Sequence, residues 1–269
     1  MPLIIAHGQP KSGSTFLWQI AIAAAACANG SPQHQYRKTI FPPEVEPPDF
    51  VPQPTDEIID TINGHLPDGK YYVLKTHGNI TPNIAEGVKG NGLMAFTSFR
   101  DPRDCVLSML DAGIKDRAKS NDRLFAKLLD VKDTLKRVKA GWSRTREWTK
   151  SAGVLKIPYY LTTHDQDRVI ELICARIGLA RFVSNVQEKF REGGRESITE
   201  FNKGIPDRFF DAMSVVDVLR TSFYFLDEIA EIDRLTEHCM TNLGYREAFD
   251  AMHARREERM NAILASLPA

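Results

Sequence analysis

Leu3-Ile4-Ile5-Ala6-His7-Gly8-Gln9-Pro10-Lys11-Ser12-Gly13-Ser14-Thr15 is the stretch that decides the fold. Its first four residues are apolar and read as a short buried strand. A Gly- and Ser-containing turn follows, and a strongly helical stretch runs from about Ser14 to Ala28. A turn between a strand and a helix exposes several backbone N–H groups at the positive end of the helix, where a phosphate fits. Gly8 and Gly13 have the spacing of the nucleotide-triphosphate loop and Thr15 supplies its hydroxyl, but Ser14 stands where that loop has its lysine. The lysine of this chain is Lys11. Triphosphate enzymes need the later lysine on the β/γ-phosphates and an acid for magnesium. The tempting acid, Asp165, reads as a helix cap. A magnesium-dependent small-molecule kinase is therefore the weaker reading of the loop.

Working outward, residues from Asp56 to Leu66 look helical. Tyr71-Tyr72-Val73-Leu74 is a second strand ending in the polar Lys75-Thr76-His77, and a third strand at Leu93 to Phe99 ends at Arg100-Asp101-Pro102 before a helix that begins with Asp104 to Leu110. Residues 116 to 150 are charged and helical, with Trp142 and Trp148 as core anchors. Val154 to Leu161 is a fourth strand candidate, and helices dominate from Asp167 onward. Strands alternating with helices predict an α/β, P-loop-type three-layer fold with a central, mainly parallel sheet flanked by helices, its ligands beyond the strand C-termini. A single domain over residues 1–269 accommodates this order. Seven prolines between Pro32 and Pro54 read as a long irregular loop, equally a lid over a cleft or a packed surface excursion.

Thirty-five basic and thirty-five acidic residues cancel, so no global field holds the chain on nucleic acid or an anionic membrane, and any anion site is local. Cys27, Cys105, Cys174 and Cys239 lie far apart, without zinc spacing, and read as buried free thiols. No apolar run reaches the roughly 20 residues of a membrane span. Lys11 and a polar turn stand where a signal peptide would have its apolar region. The expected compartment is the cytoplasm, which makes Asn29-Gly30-Ser31 and Asn79-Ile80-Thr81 chance matches to the glycosylation pattern. The run Arg255-Arg256-Glu257-Glu258-Arg259 reads as a solvated helix face.

Pro10-Lys11-Ser12-Gly13-Ser14-Thr15-Phe16 resembles the 5'-phosphosulfate loop of the sulfotransferases that use 3'-phosphoadenylyl sulfate (PAPS). The resemblance implies that Lys11 contacts the phosphosulfate and steadies the leaving oxygen, that Ser12, Gly13, Ser14 and Thr15 donate hydrogen bonds, and that Phe16 offers the aromatic face on which the family usually places tryptophan. Arg100 and Ser108, eight residues apart, have the family's 3'-phosphate spacing; a guanidinium at a strand end and a hydroxyl on the following helix both donate to a phosphate. Arg103 and Asp104 read as a helix-start charge pattern. Lys75-Thr76-His77 is similar to the segment of the cytosolic small-molecule enzymes in which the histidine is the base and the lysine contacts the transferring group.

A weaker likeness covers Phe201-Asn202-Lys203-Gly204-Ile205-Pro206-Asp207-Arg208-Phe209, where Lys203, the Gly204 N–H and Arg208 are implied to close over the 3'-phosphate. Thr162-Thr163-His164-Asp165 departs from the family's adenine-side segment. Taken together the likeness runs from about residue 3 to 210, in four short motifs. What it implies is metal-free sulfuryl transfer from PAPS to a hydroxyl or amine of a small-molecule acceptor, releasing adenosine 3',5'-bisphosphate. His77 would be the base, with Lys11 and Lys75 stabilising charge. A non-catalytic nucleotide-binding protein of the same fold is the third reading, against which Lys75 and His77 argue. No clear match to the family's C-terminal dimerisation segment is present, which leaves the oligomeric state open: a homo-oligomer is possible but not indicated.

Overall fold

The computed structural model describes residues 3–42, 48–193 and 204–267, without the side chains of residues 39 and 40. Lys203 lies outside them. The order is β1 (Leu3–Gly8), α1 (Ser14–Asn29), α2 (Gln33–Ile40), β2 (Phe50–Val51), α3 (Asp56–His65), β3 (Tyr72–Thr76), α4 (Pro82–Lys89), β4 (Met94–Phe99) and α5 (Pro102–Ala118). There follow α6 (Val131–Lys150), β5 (Leu155–Pro158), α7 (Tyr159–His164), α8 (Gln166–Arg176), α9 (Val183–Gly193), α10 (Phe209–Ala212), α11 (Val215–Tyr224), α12 (Leu226–Asn242) and α13 (Arg246–Ala265). Two compact units emerge: the first takes Met1–Phe99 and Ser143–Gly204, the second Arg100–Trp142 and Ile205–Ala269.

The first unit is built on a five-stranded sheet in the order β2-β3-β1-β4-β5, with every pairing parallel. The α/β class and the mainly parallel sheet expected from the sequence are what the chain forms. β1 is central because both its faces are apolar: all six of its residues are buried, as the continuous run Leu3 to Ala6 requires. Leu3 and Ile5 share one face with Tyr72, Leu74, Ala95 and Trp148. Helix α1 covers β1 and β3, and α8 packs on α1. In-register pairing of Ala6 with Lys75 and of His7 with Thr76 brings the ends of β1 and β3 side by side.

β2 is only two residues long and covers just the end of β3. The rest of that edge is closed by side-chain amides. Asn29 donates from Nδ2 to Tyr71 O (2.8 Å) and accepts at Oδ1 from Tyr71 N (3.0 Å). Gln33 does the same for Val73, with Nε2 to Val73 O at 2.9 Å and Val73 N to Oε1 at 2.8 Å. Two carboxamides thus stand in for an edge strand, satisfying backbone groups that would otherwise template aggregation. Asn29 is buried by this task, a structural reason its glycosylation match is a chance one.

In the second unit, one apolar cluster joins Cys105, Val106 and Met109 of α5 to Leu135 and Val138 of α6 and to Phe225. Another gathers Leu107, Phe209 and Val218.

Several expectations need correction. Residues 33–40 form a helix inside the supposed proline loop, because Pro32 sits at its N-cap and the next proline comes only after Phe41. The fourth strand stops at Pro158 and the chain turns at once into α7. The charged stretch 116–150 is broken: α5 ends at Ala118 and α6 starts at Val131. Cys27 is exposed, unlike the other three cysteines. Arg256 is not on a solvated face. Its side chain is 12% exposed and sits among Asp207 (2.6 Å), Asp233 (3.0 Å) and Asp101 (3.8 Å), a cluster no local pattern of charges announces.

Candidate active site

Helix α1 begins without a side-chain cap. Its N-cap is Gly13, in the left-handed region at φ 85°, and its first turn carries no acidic residue. The N–H groups of that turn lie at the positive end of the helix dipole, a place that favours an anion. Lys11 also has a positive φ of 69°, a strained conformation for a residue with a Cβ. The loop is folded tightly enough that a Cβ on Gly8 would lie 2.2 Å from Ser98 Oγ and 2.6 Å from Ser14 Cβ.

Ser12 holds the loop in this shape. Its hydroxyl reaches Gln9 O (2.6 Å) and Ser98 Oγ (2.7 Å), and its N–H donates to Gln9 O at 3.0 Å. Gln9 N donates to Ser98 O at 3.0 Å, fastening the loop to the end of β4. Ser12 is fully buried, so within the expected donor set its hydroxyl is an internal clamp. Ser14 is buried and Thr15 half-buried, both in the first turn of α1. Phe16 is buried with its ring edge-on to Phe190 (5.3 Å between centroids). It packs in the interior.

The end of β3 delivers the next two residues. Lys75 Nζ donates to Thr15 Oγ1 at 2.7 Å and lies 5.4 Å from the centre of the Trp18 ring. This buried ammonium is held against the first turn of α1. His77 Nδ1 donates to Gly8 O at 2.6 Å, and its ring is 5.4 Å from that of Phe50, which is 43% exposed. Because a carbonyl oxygen can only accept, Nδ1 carries the proton, and Nε2 is the basic nitrogen of the neutral ring. Lys75 and His77 thus meet the loop from the neighbouring strand, one on each side of the turn.

Helix α6 holds the segment after β3. Arg144 Nε donates to His77 O and Trp148 Nε1 donates to Gly78 O, both at 2.9 Å. Trp148 is fully buried and stacked on His7 with 4.6 Å between centroids. His7 bonds Thr97 Oγ1 through Nδ1 at 2.8 Å. Its pKa is held well below the ordinary histidine value by burial first, then by His77 and Arg144 nearby, so it is neutral. The sequence marked Trp148 only as a core anchor and passed over Arg144; their i, i+4 spacing on a helix was the available signal.

In the second unit, the junction from Arg100 into α5 is closed by its own charges. Asp101 caps the helix by accepting from Arg103 N at 2.8 Å, and takes the Arg103 guanidinium in two bonds of 3.0 and 2.6 Å. Burial alone would raise the Asp101 carboxyl, but the Arg103 guanidinium, with Arg256, holds it at about 2 against the usual 3.8. Arg100 meets Asp104 Oδ2 at 3.2 Å and donates to Ile205 O at 3.2 Å, and Asp207 N donates to the same carboxylate oxygen at 2.8 Å. Arg103 and Asp104, expected as a simple helix-start pattern, are buried partners in this network. Ser108 is buried on α5, Gly204 adopts φ 64°, and Arg208 pairs with Asp111 at 2.7 Å. Asp165 caps α8 by accepting from Arg168 N at 2.9 Å.

No family model and no curated protein matches the sequence. Solved structures do. A crystal structure of retinol dehydratase in complex with retinol and PAP (adenosine 3',5'-bisphosphate) matches at a TM-score of 0.52 and 15% identity, over 84% of this chain and 80% of that one. What the two share is the fold, an α/β arrangement that in this chain is built on a parallel five-stranded sheet. Retinol dehydratase with androsterone and PAP also matches, at a TM-score of 0.47 and 17% identity over 84% and 80% of the two chains. Mouse sulfotransferase SULT7A1 complexed with PAP matches at 0.46 and 15%, over 93% and 88%. Among the described residues no helix is long and apolar enough to cross a membrane.

Proposed function

We propose that this chain is a PAPS-dependent sulfotransferase acting on a hydroxyl or amine of a small-molecule acceptor in the cytoplasm. The observation that carries the reading is the convergence of Lys75 and His77 on the glycine loop, at 2.7 Å to Thr15 and 2.6 Å to Gly8. The uncapped first turn of α1, the absence of acid from it, and Lys11 beside it suit a phosphosulfate. When bound, PAPS supplies the sulfuryl group and a phosphate leaving group. Lys11 and the backbone donors of Gly13, Ser14 and Thr15 hold the anion. The Lys75 ammonium stabilises the charge that develops as the sulfuryl group departs. His77 takes the acceptor's proton at Nε2 while Nδ1 keeps its bond to Gly8 O. Arg100 and Ser108 are assigned the 3'-phosphate, with Gly204, Arg208 and Lys203 as further donors.

Phe50 beside His77 favours an acceptor whose reactive group is carried on an apolar body. A screen of alcohols, phenols and amines with PAPS, read by mass spectrometry, tests the reading, together with calorimetry of adenosine 3',5'-bisphosphate in chelator. Micromolar binding without metal is expected. Magnesium-dependent ATP binding in its place would make the chain a kinase. His77→Ala is expected to lower turnover by about 100- to 10,000-fold with product-nucleotide affinity retained; full activity in that variant rejects His77 as the base.

A further inference from the structure

We infer that Arg144 and Trp148 of α6 are positioning residues that hold His77 in the Nδ1-protonated tautomer. The inference rests on the proposed sulfuryl transfer only for its kinetic consequence. β3 ends at Thr76, so His77 and Gly78 lie beyond the strand. Three bonds hold them instead: Gly78 N to Thr76 Oγ1 at 3.0 Å, Arg144 Nε to His77 O at 2.9 Å and Trp148 Nε1 to Gly78 O at 2.9 Å. Arg144 and Trp148 are one helical turn apart on the same face of α6, so a single rigid element grips two consecutive carbonyls.

The indole is itself fixed, being fully buried and nearly parallel to the His7 ring at 11°. From the other side the turn meets the 52–53 segment. A Cβ on Gly78 would lie 2.6 Å from Pro52 O and 2.7 Å from Gln53 Cα. Held between them, the His77 backbone carries the ring to Gly8 O. That carbonyl can only accept, so the bond selects the tautomer whose basic nitrogen is Nε2. If the turn is loosened, the ring rotates and the bond to Gly8 is lost, which misplaces the base although the ring itself is unchanged.

The test uses Trp148→Phe, which keeps the buried ring and removes the N–H, and Arg144→Met at a half-buried site that does not threaten the fold. Two-bond 1H–15N correlation of histidine-labelled protein reads the tautomer, with His77→Gln identifying the signal. Wild type is expected to show protonated Nδ1, and both variants a mixture or the opposite tautomer; Arg144→Lys is expected to restore the wild-type signal. In turnover, each variant should lose about 10- to 100-fold in kcat with donor KM little changed. Adding Trp148→Phe to His77→Ala should cost nothing more, since the effect passes through His77. Wild-type tautomer and wild-type kcat in both variants overturn the inference, as does an equal loss in the His77→Ala background. If wild type transfers sulfate to no acceptor, the proposed function fails, and the tautomer measurement still decides this one.

Discussion

Two strand-to-helix junctions of this protein solve the same electrostatic problem in opposite ways. At the end of β1 the chain enters α1 through Gly13, with no side-chain cap and no acid in the first turn. At the end of β4 it enters α5 through Asp101, which caps the helix, binds Arg103 in two bonds and faces Arg256. A helix N-terminus attracts an anion in either case. In α5 the protein's own carboxylate answers, and the junction is part of the core. In α1 the N-cap is a glycine and the first turn holds no acid, so no carboxylate of that turn answers. Capping chemistry, more than glycine content, distinguishes the two junctions.

The largest effect should come from breaking the self-neutralised junction. Asp101→Asn leaves Arg103 and Arg256 buried with less counter-charge and is expected to destabilise the protein by about 3–5 kcal/mol, read by urea unfolding. The pH dependence has a definite sign. A folded carboxyl held at about 2 rather than 3.8 contributes stability above pH 4 that is lost as pH falls toward 2. Wild type should therefore show an acid-dependent loss in that window that Asp101→Asn lacks. Equal acid sensitivity in the two proteins would mean that Asp101 is not the group holding this junction.

Gly8→Ala comes next, because its Cβ meets Ser98 Oγ and Ser14 Cβ well inside contact distance. A loss of about 1–3 kcal/mol is expected together with loss of adenosine 3',5'-bisphosphate binding by calorimetry; retained affinity would mean the loop is not where the nucleotide binds. Ser12→Ala removes the hydroxyl that ties Gln9 to Ser98 and should cost about 1 kcal/mol, with a few-fold weaker nucleotide affinity. Gln9→Met should have the smallest effect. Among the described residues neither side-chain amide atom of buried Gln9 has a partner, so an apolar chain of similar length is expected to leave the melting temperature level or raise it. A clear drop would reveal a bound water or ligand atom on that amide.

The legible parts of this fold were those governed by local pattern. A run of four apolar residues before a glycine turn is a strand leading into a helix, and the turn chemistry of residues 8–13 placed the start of α1 at Ser14. In the proline-rich segment position matters more than number: one proline at a helix start and the rest beyond residue 41 leave room for α2. Arg256 is a different case. A charged run looks the same whether it faces water or three aspartates, none of them near it in sequence.

By itself the sequence determined the α/β class, the loop with its lysine at position 11, and the identities of Lys75 and His77 as the polar end of a strand. Only the tertiary structure decided that β3 lies beside β1, so that Lys75 reaches Thr15 and His77 reaches Gly8. It also decided that the His77 proton sits on Nδ1. Strand order and hydrogen-bond partners depend on contacts between residues some sixty to seventy positions apart, and short-range periodicity carries no record of them.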